Sequence, residues 1–216
     1  MFVGFIHDHH KEANVSLDDV PEVNLSEFAT LIGLEQIASG RYSVLLAANL
    51  LGGALSGVQN PAKIVHEIEL LEKNEPGQFK PPIKNRHPPL KGLWHKHYLQ
   101  DGLASFARNV EKGLNQCGIP FFEKKIQEAK DAGELRYLTP EDVPALVDDV
   151  ISGNRHRLAK RQALSGEWIV FAKYEGQNYY LTIATHDSAT HDRVREQINE
   201  VCCKEFPFLV QLLNEA

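Results

Sequence analysis

A chain of 216 residues, 43% of them apolar and 24% charged, is long enough to bury a substantial core and unlike a disordered chain in composition. Its three cysteines, two of them adjacent, do not suit a disulfide framework, which favours a reducing, cytoplasmic location. The net charge of −6, taken as a whole, argues against a protein that binds nucleic acid. The first residues carry no basic leader followed by a long apolar run, so we expect no secretory signal.

The first third of the chain predicts three helices. Ser26 is a suitable cap for a helix that runs to about residue 39, and Asn60 with Pro61 begins a helix that runs to about residue 73. Between them, residues 42–62 carry no formal charge, but they include several glycines and polar side chains. A membrane span needs about 20 mainly apolar residues. We therefore expect a core helix over residues 42–55 and no membrane contact.

A proline-rich segment, residues 75–89, follows these helices. Proline lacks the amide donor and restricts the residue before it, so we predict a long loop without regular structure. The chain then predicts a helix up to residue 117 that buries Leu103, Phe106 and Val110, and further helices over residues 121–132 and 139–153. We expect a single domain over residues 1–216. The alternative division is a helical N-terminal lobe (residues 1–75) and an α+β lobe (residues 90–216), joined by this loop.

The clearest structural signal lies near the C-terminus. Residues 168–174 and 179–185 are rich in β-branched and aromatic side chains and flank a four-residue turn signal, which predicts an antiparallel β-hairpin. Both faces of the hairpin are apolar, so we expect cover on both sides or a further strand, for which residues 1–6 are a candidate. Amphipathic helices end the chain. The fold class predicted is α+β, predominantly helical with a C-terminal antiparallel β-hairpin or small sheet.

Two basic segments interrupt this acidic chain and suggest an anion site. Residues 80–97 contain five Lys or Arg and no acid, and they end in His95, Lys96 and His97. We place these three at the start of a helix, where free amides favour anions. Histidine can give or take a proton near neutral pH, so His95 and His97 are candidate acid–base residues, with Lys96 binding phosphate.

The second basic segment leads into the hairpin. Arg155, Arg157 and Arg161 are candidates for binding phosphate, because the guanidinium group matches phosphate with two hydrogen bonds. His186 ends the second hairpin strand and is the third candidate acid or base. Tyr180 and Thr182, on the same strand, are candidates for positioning a substrate.

Another reading of the histidines is a divalent metal site. His7 and His9 form a His-x-His pair near the N-terminus and, with His95 and His97, would supply imidazole ligands for a metal-dependent hydrolase. A third reading is a non-catalytic regulatory protein, in which both basic segments dock an anionic partner.

The basic stretch that leads into residues 164–171 (LSGEWIVF), followed by the hairpin and its terminal histidine, resembles the sheet region of small bacterial RNase toxins of the RelE and barnase–EndoU type. The resemblance covers residues 155–190. It implies a metal-independent ribonuclease that needs no cofactor and acts on RNA. RNA supplies its own nucleophile, the 2′-hydroxyl, so the protein would contribute a base, an acid and cations. We take this as the leading hypothesis.

Overall fold

The computed structural model describes residues 24–215. The candidate N-terminal strand at residues 1–6 and the candidate ligands His7 and His9 lie outside these residues. Within them the fold is α+β, with mostly helical structure around a four-stranded antiparallel sheet. This confirms the predicted α+β class and the antiparallel hairpin, although the sheet also includes two strands from the middle of the chain.

The strands are β1 (Ile83–Lys84), β2 (Trp94–Tyr98), β3 (Glu167–Tyr174) and β4 (Gln177–Ala184). In the part of the chain that the structure describes, four helices precede the sheet: α1 (Leu25–Leu31), α2 (Leu34–Ala38), α3 (Val44–Leu55) and α4 (Pro61–Lys73). Four lie between β2 and β3: α5 (Leu103–Cys117), α6 (Pro120–Ala132), α7 (Val143–Asp148) and α8 (Asn154–Lys160). Three follow β4: α9 (His191–Gln197), α10 (Cys203–Glu205) and α11 (Phe208–Asn214).

The strands lie in the order β1-β2-β3-β4, each antiparallel to its neighbour. The β3–β4 turn is tighter than predicted, because Glu175 and Gly176 alone form it with φ angles of 48° and 78°. Two residues of positive φ match the right-handed twist of the paired strands. The proline-rich segment is not entirely irregular, since β1 falls inside it and pairs with Trp94 and His95.

Helices cover both faces of the sheet, as the apolar hairpin predicts. On one face, Ile169, Phe171 and Tyr180 pack against residues from α1 to α4. On the other, Val170 and Leu181 pack against the C-terminal helices that follow residue 190. The strand alternation therefore sends neighbouring residues of β3 into two separate cores.

Helix α5 uses a different face from the one predicted. Leu103 is 85% exposed and Phe106 50% exposed, so the prediction that they are buried is wrong, and Val110 is only partly buried. The buried positions are Ser105, Asn109 and Gly113, which recur every four residues and so form one stripe along the helix. Small and polar side chains allow α5 to approach α8 closely, and that packing decides the orientation of the helix.

The helix predicted to end at Gly153 continues beyond it. A π-helical turn over Asp149–Gly153 joins α7 to α8, so Gly153 does not terminate the helix. A Cβ atom on Gly113 of α5 would lie 2.7 Å from the Cβ atom of Asn154, which shows how near the two helices run.

Both edges of the sheet are short or covered. β1 contains only two residues, and beside β4 the backbone of residues 41–43 hydrogen-bonds to Tyr180: Tyr180 N donates to Arg41 O, and Ser43 N donates to Tyr180 O. None of the described helices has the length and apolar character to cross a membrane.

Candidate functional site: an imidazole cluster around Trp168

His95 and His97 belong to a strand, and the predicted helix start at this point is wrong. Residues 94–98 form β2, which is hydrogen-bonded to β3 along its whole length. Because successive side chains alternate, His95 and His97 point to the same face of the sheet, whereas Lys96 points to the other. The strand therefore separates the three residues that the sequence analysis grouped together.

The three predicted catalytic residues meet at one place. His95 and His97 come from β2, and His186 follows the end of β4, while Trp168 at the start of β3 lies between them. The ring of His95 stacks on that of Trp168 with centroids 4.1 Å apart, and the centroids of His97 and His186 are 5.1 Å apart. The ring centroid of His191, at the start of α9, is 4.9 Å from that of Trp168. We call His95, His97, His186, His191 and Trp168 the imidazole cluster.

Hydrogen bonds fix which nitrogen carries the proton in several of these rings. The Asn85 Oδ1 atom lies 2.8 Å from His95 Nδ1 and can only accept, so His95 donates from Nδ1 and keeps a lone pair on Nε2. The indole nitrogen of Trp168 can only donate, so His97 Nε2, 3.2 Å away, accepts. His191 Nε2 donates to the Thr185 carbonyl oxygen at 2.9 Å.

Burial keeps the two β2 imidazoles neutral. His95 is only 6% exposed, and burial, with the charges of His186 and His191, lowers its pKa to about 4. Burial lowers the pKa of His97 to about 3, and the neighbouring charges of His95, His186, Lys80 and Lys96 add to the effect. Low polarity and nearby positive charge both disfavour the imidazolium form. His186, by contrast, is exposed to solvent.

Glu167 fixes the position of the exposed histidine. Its buried carboxylate accepts a 2.7 Å hydrogen bond from the backbone N–H of His186 and a 3.2 Å hydrogen bond from Arg108 of α5. Gly166, just before it, has no room for a side chain, because a Cβ atom there would overlap the carbonyl group of Tyr98. This close approach brings the start of β3 against β2 and so places Trp168 beside the histidines.

Lys96, predicted to bind phosphate, lies on the opposite side of the sheet from His95 and His97. Its ammonium group is 3.4 Å from the carboxylate of Glu67 on α4 and donates to the carbonyl oxygen of Lys80 at 3.2 Å. Both side chains are buried, and burial raises the pKa of Glu67.

The three predicted phosphate-binding arginines all lie in or just after α8. Arg157 is held by Asp149 at 2.8 Å and by Asn154, and Arg161 lies 3.6 Å from the sulfur of Cys117 on α5. Arg155 lines a small cleft of about 160 Å³ between α5 and the π-helical turn. Their contacts are with α5 and the residues around it, and the structure does not bring them to the imidazole cluster.

Tyr180 and Thr182, predicted to position a substrate, are buried. The Tyr180 hydroxyl donates to Glu72 at 2.6 Å, and the Thr182 hydroxyl accepts from Asn49 at 2.9 Å. Both side chains therefore tie β4 to the N-terminal helices.

A cleft of about 700 Å³ opens on the side of the sheet that faces α4. Lys96, Phe79 and Asn178 line it together with the Arg41–Glu72 ion pair, in which the nitrogen and oxygen are 2.5 Å apart. No histidine of the imidazole cluster lies in its wall. We place the candidate chemistry at the cluster, because that is where groups able to transfer protons meet.

The described residues of the cluster do not form a set of metal ligands. Within residues 24–215, no group of three or more His, Cys, Asp or Glu side chains is arranged to hold a metal ion. Two of the ring nitrogens that could bind a metal are already occupied, His95 Nδ1 by Asn85 and His97 Nε2 by Trp168.

Sequence reasoning missed Trp168, His191, Asn85 and Glu167 as parts of the site. One usable signal was the order Trp-His-Lys-His-Tyr, in which the two histidines are two residues apart, the spacing that places side chains on one face of a strand. The pairing of His97 opposite Trp168 depends on the register of β2 with β3, across some seventy residues of chain, and no local pattern encodes it.

No protein-family model, curated protein or solved structure matches this chain.

Proposed function

We propose that the protein is a ribonuclease-like enzyme that cleaves RNA by acid–base catalysis at the imidazole cluster, without a metal ion. The observation that carries the proposal is the convergence around Trp168 of His95 and His97 from β2 with His186 from the end of β4. Two imidazoles in different environments can divide the roles of base and acid between them.

His95 is the proposed base. Its Nδ1–H is held by Asn85, so the Nε2 lone pair is available, and burial keeps the ring neutral at pH 7. His95 Nε2 removes the proton of the 2′-hydroxyl, and the 2′-oxygen then attacks the adjacent phosphorus. A base of low pKa is weak, so this step depends on the position of the ring rather than on its basicity.

His186 is the proposed acid. Its ring is exposed, and its ring nitrogens make no hydrogen bond to any described residue. As the bond between phosphorus and the 5′-oxygen breaks, His186 donates a proton to that oxygen. The products are a 2′,3′-cyclic phosphate and a free 5′-hydroxyl. Lys80, whose charge acts on His97, is the nearby cation proposed to neutralise the phosphate.

The test uses several end-labelled RNAs, each incubated in EDTA with the wild type and with the His95→Gln and His186→Gln variants. We expect the wild type to cleave, and each variant to be about 10²–10⁴-fold slower, as for other losses of a proton-transfer group. The matched control is His66→Gln, at an exposed position on α4, which should keep full activity. An RNA with a single 2′-deoxy position should resist cleavage at that position.

Absence of cleavage with every RNA would contradict the proposal. Cleavage that EDTA abolishes would support the metal-dependent hydrolase instead. RNA binding that needs no histidine, without cleavage, would support the non-catalytic regulatory protein.

A further inference from the structure

Trp168 determines which nitrogen of His97 carries the proton. The indole N–H has no lone pair to offer, so at 3.2 Å it must donate to His97 Nε2. A neutral imidazole carries one proton, and with Nε2 accepting, that proton lies on Nδ1. His97 is therefore a donor at Nδ1, and its only lone pair is already used.

The Nδ1 atom of His97 is buried and has no hydrogen-bond partner among the described residues. A buried N–H without an acceptor is unfavourable, because the group loses its hydrogen bond to water and gains none in return. The site therefore contains a donor, with its proton fixed in place, that lacks an acceptor.

Two lysine charges, those of Lys80 and Lys96, act on His97, and of these only Lys96 has an acidic partner, Glu67, among the described residues. A buried neutral donor with an uncompensated lysine charge nearby is suited to an anionic oxygen.

We infer that His97 Nδ1–H donates a hydrogen bond to an anionic oxygen of a phosphate group, and that Trp168 acts as the positioning residue that keeps the proton on Nδ1. In the ribonuclease this oxygen is a non-bridging oxygen of the scissile phosphodiester, and this part of the inference rests on the proposed function. His97 then contributes as a neutral electrostatic stabiliser and transfers no proton.

The ring of His186 lies against the ring that carries this donor. The two ring centroids are 5.1 Å apart and the planes 29° apart, and His186 is exposed in the turn after β4. Because its ring nitrogens bind no described residue, His186 can turn outward without losing a hydrogen bond to this part of the chain. The phosphate then takes the uncovered position beside Nδ1, and His186 remains next to the leaving oxygen.

Two substitutions of His97 distinguish a hydrogen-bond donor from a group that transfers a proton. In His97→Asn, the side-chain amide can place an N–H close to the former Nδ1 position, but it cannot titrate. His97→Leu keeps the bulk and removes the donor. We expect the rate of RNA cleavage to fall about 10²–10³-fold for Leu, as when a single oxyanion donor is lost, and less than tenfold for Asn. Equal and large losses in both variants would overturn the inference and leave the ribonuclease proposal intact.

A second measurement does not depend on cleavage. Nitrogen-15 NMR of labelled histidine should show His97 as the Nδ1–H tautomer at pH 7, and inorganic phosphate should shift its Nδ1–H signal. In Trp168→Phe the tautomer preference should weaken, because Nε2 loses its donor. A 2′-O-methyl oligonucleotide, which cannot be cleaved, should shift the signal at lower concentration than free phosphate if the site binds a phosphodiester.

The outcomes distinguish the two proposals. A phosphate-induced shift of His97 in a protein that cleaves no RNA would support the oxyanion donor and contradict the ribonuclease. An Nε2–H tautomer in the wild type, or a signal that neither phosphate nor the oligonucleotide moves, would overturn the donor.

Discussion

Burial of His95 and His97 makes the free energy of unfolding depend on pH. Burial lowers the pKa of both imidazoles below the ordinary value of 6.5, to about 4 and about 3. As the pH falls below 6.5, the unfolded chain takes up protons at these positions before the folded protein does. Acid therefore favours the unfolded state at both residues.

The free energy of unfolding should decrease as the pH falls from about 6.5 towards 3. At lower pH these two histidines should cause no further change, because they are then protonated in both states. Urea denaturation over a pH series measures this. His97→Asn should reduce the slope, whereas His156→Gln, at an exposed position on α8, should leave it unchanged. Equal slopes in all three proteins would show that His97 is not a buried neutral imidazole.

The Lys96–Glu67 ion pair is buried on the opposite side of the sheet from the imidazole cluster. Lys96→Met should lower the free energy of unfolding by about 3–5 kcal/mol, because it leaves the carboxylate buried without its cation. Adding Glu67→Gln should restore part of the loss. Lys124→Met, which breaks the exposed Lys124–Glu128 pair, should cost less than about 1 kcal/mol in the same denaturant melts. A small effect of Lys96→Met would mean that the pair is more hydrated than its burial indicates.

At the scale of elements, the packing of α5 on α8 depends on a glycine. The Cβ atom of an alanine at position 113 would lie 2.7 Å from the Asn154 Cβ atom, so the helices must separate. Asn154 also donates to the Gly118 carbonyl oxygen and accepts from Arg157, so a shift of α8 disturbs several hydrogen bonds.

Gly113→Ala should therefore destabilise the protein by about 1–3 kcal/mol, as overpacking does elsewhere. Gly52→Ala is the matched control, because Gly52 lies in α3 with open space around its Cβ position. There the substitution should stabilise by about 0.5–1 kcal/mol through helix propensity. Thermal or denaturant melts that show the same sign for both would contradict the close contact between α5 and α8.

Whether the sequence predicts an element depends on how far apart in the chain the residues that determine it lie. The hairpin was correct because β-branched and aromatic residues flank a turn within twenty residues. The buried face of α5 was wrong, because helical periodicity marks an apolar stripe, whereas the packed stripe of Ser105, Asn109 and Gly113 is chosen by α8. That His97 and His186 meet could only be a hypothesis, because their contact depends on the register of β2, β3 and β4. Arg157, predicted to bind phosphate, is instead hydrogen-bonded to Asp149, eight residues earlier.

At the scale of the whole molecule, burial is uneven. β3 and β4 lie between two apolar cores, whereas none of the described residues of α6 or α7 is buried. Regions with few buried contacts open at lower free energy than core strands.

Hydrogen exchange followed by mass spectrometry should therefore be slowest in peptides from residues 167–184 and fastest in the helices over residues 120–148. Peptides from α3, which is partly buried, provide an internal reference. Equal protection in α6 and β3 would mean that a partner or a second copy covers the exposed apolar side chains of α6.

The two edges of the sheet have a consequence for self-association. An open edge strand presents unpaired N–H and C=O groups that can recruit a strand from another molecule. Here one edge ends in a strand of two residues, and the other is occupied at Tyr180 by the backbone of residues 41–43. Concentrated protein should thus resist intermolecular β-pairing despite its apolar hairpin, until denaturation pulls residues 41–43 away from β4.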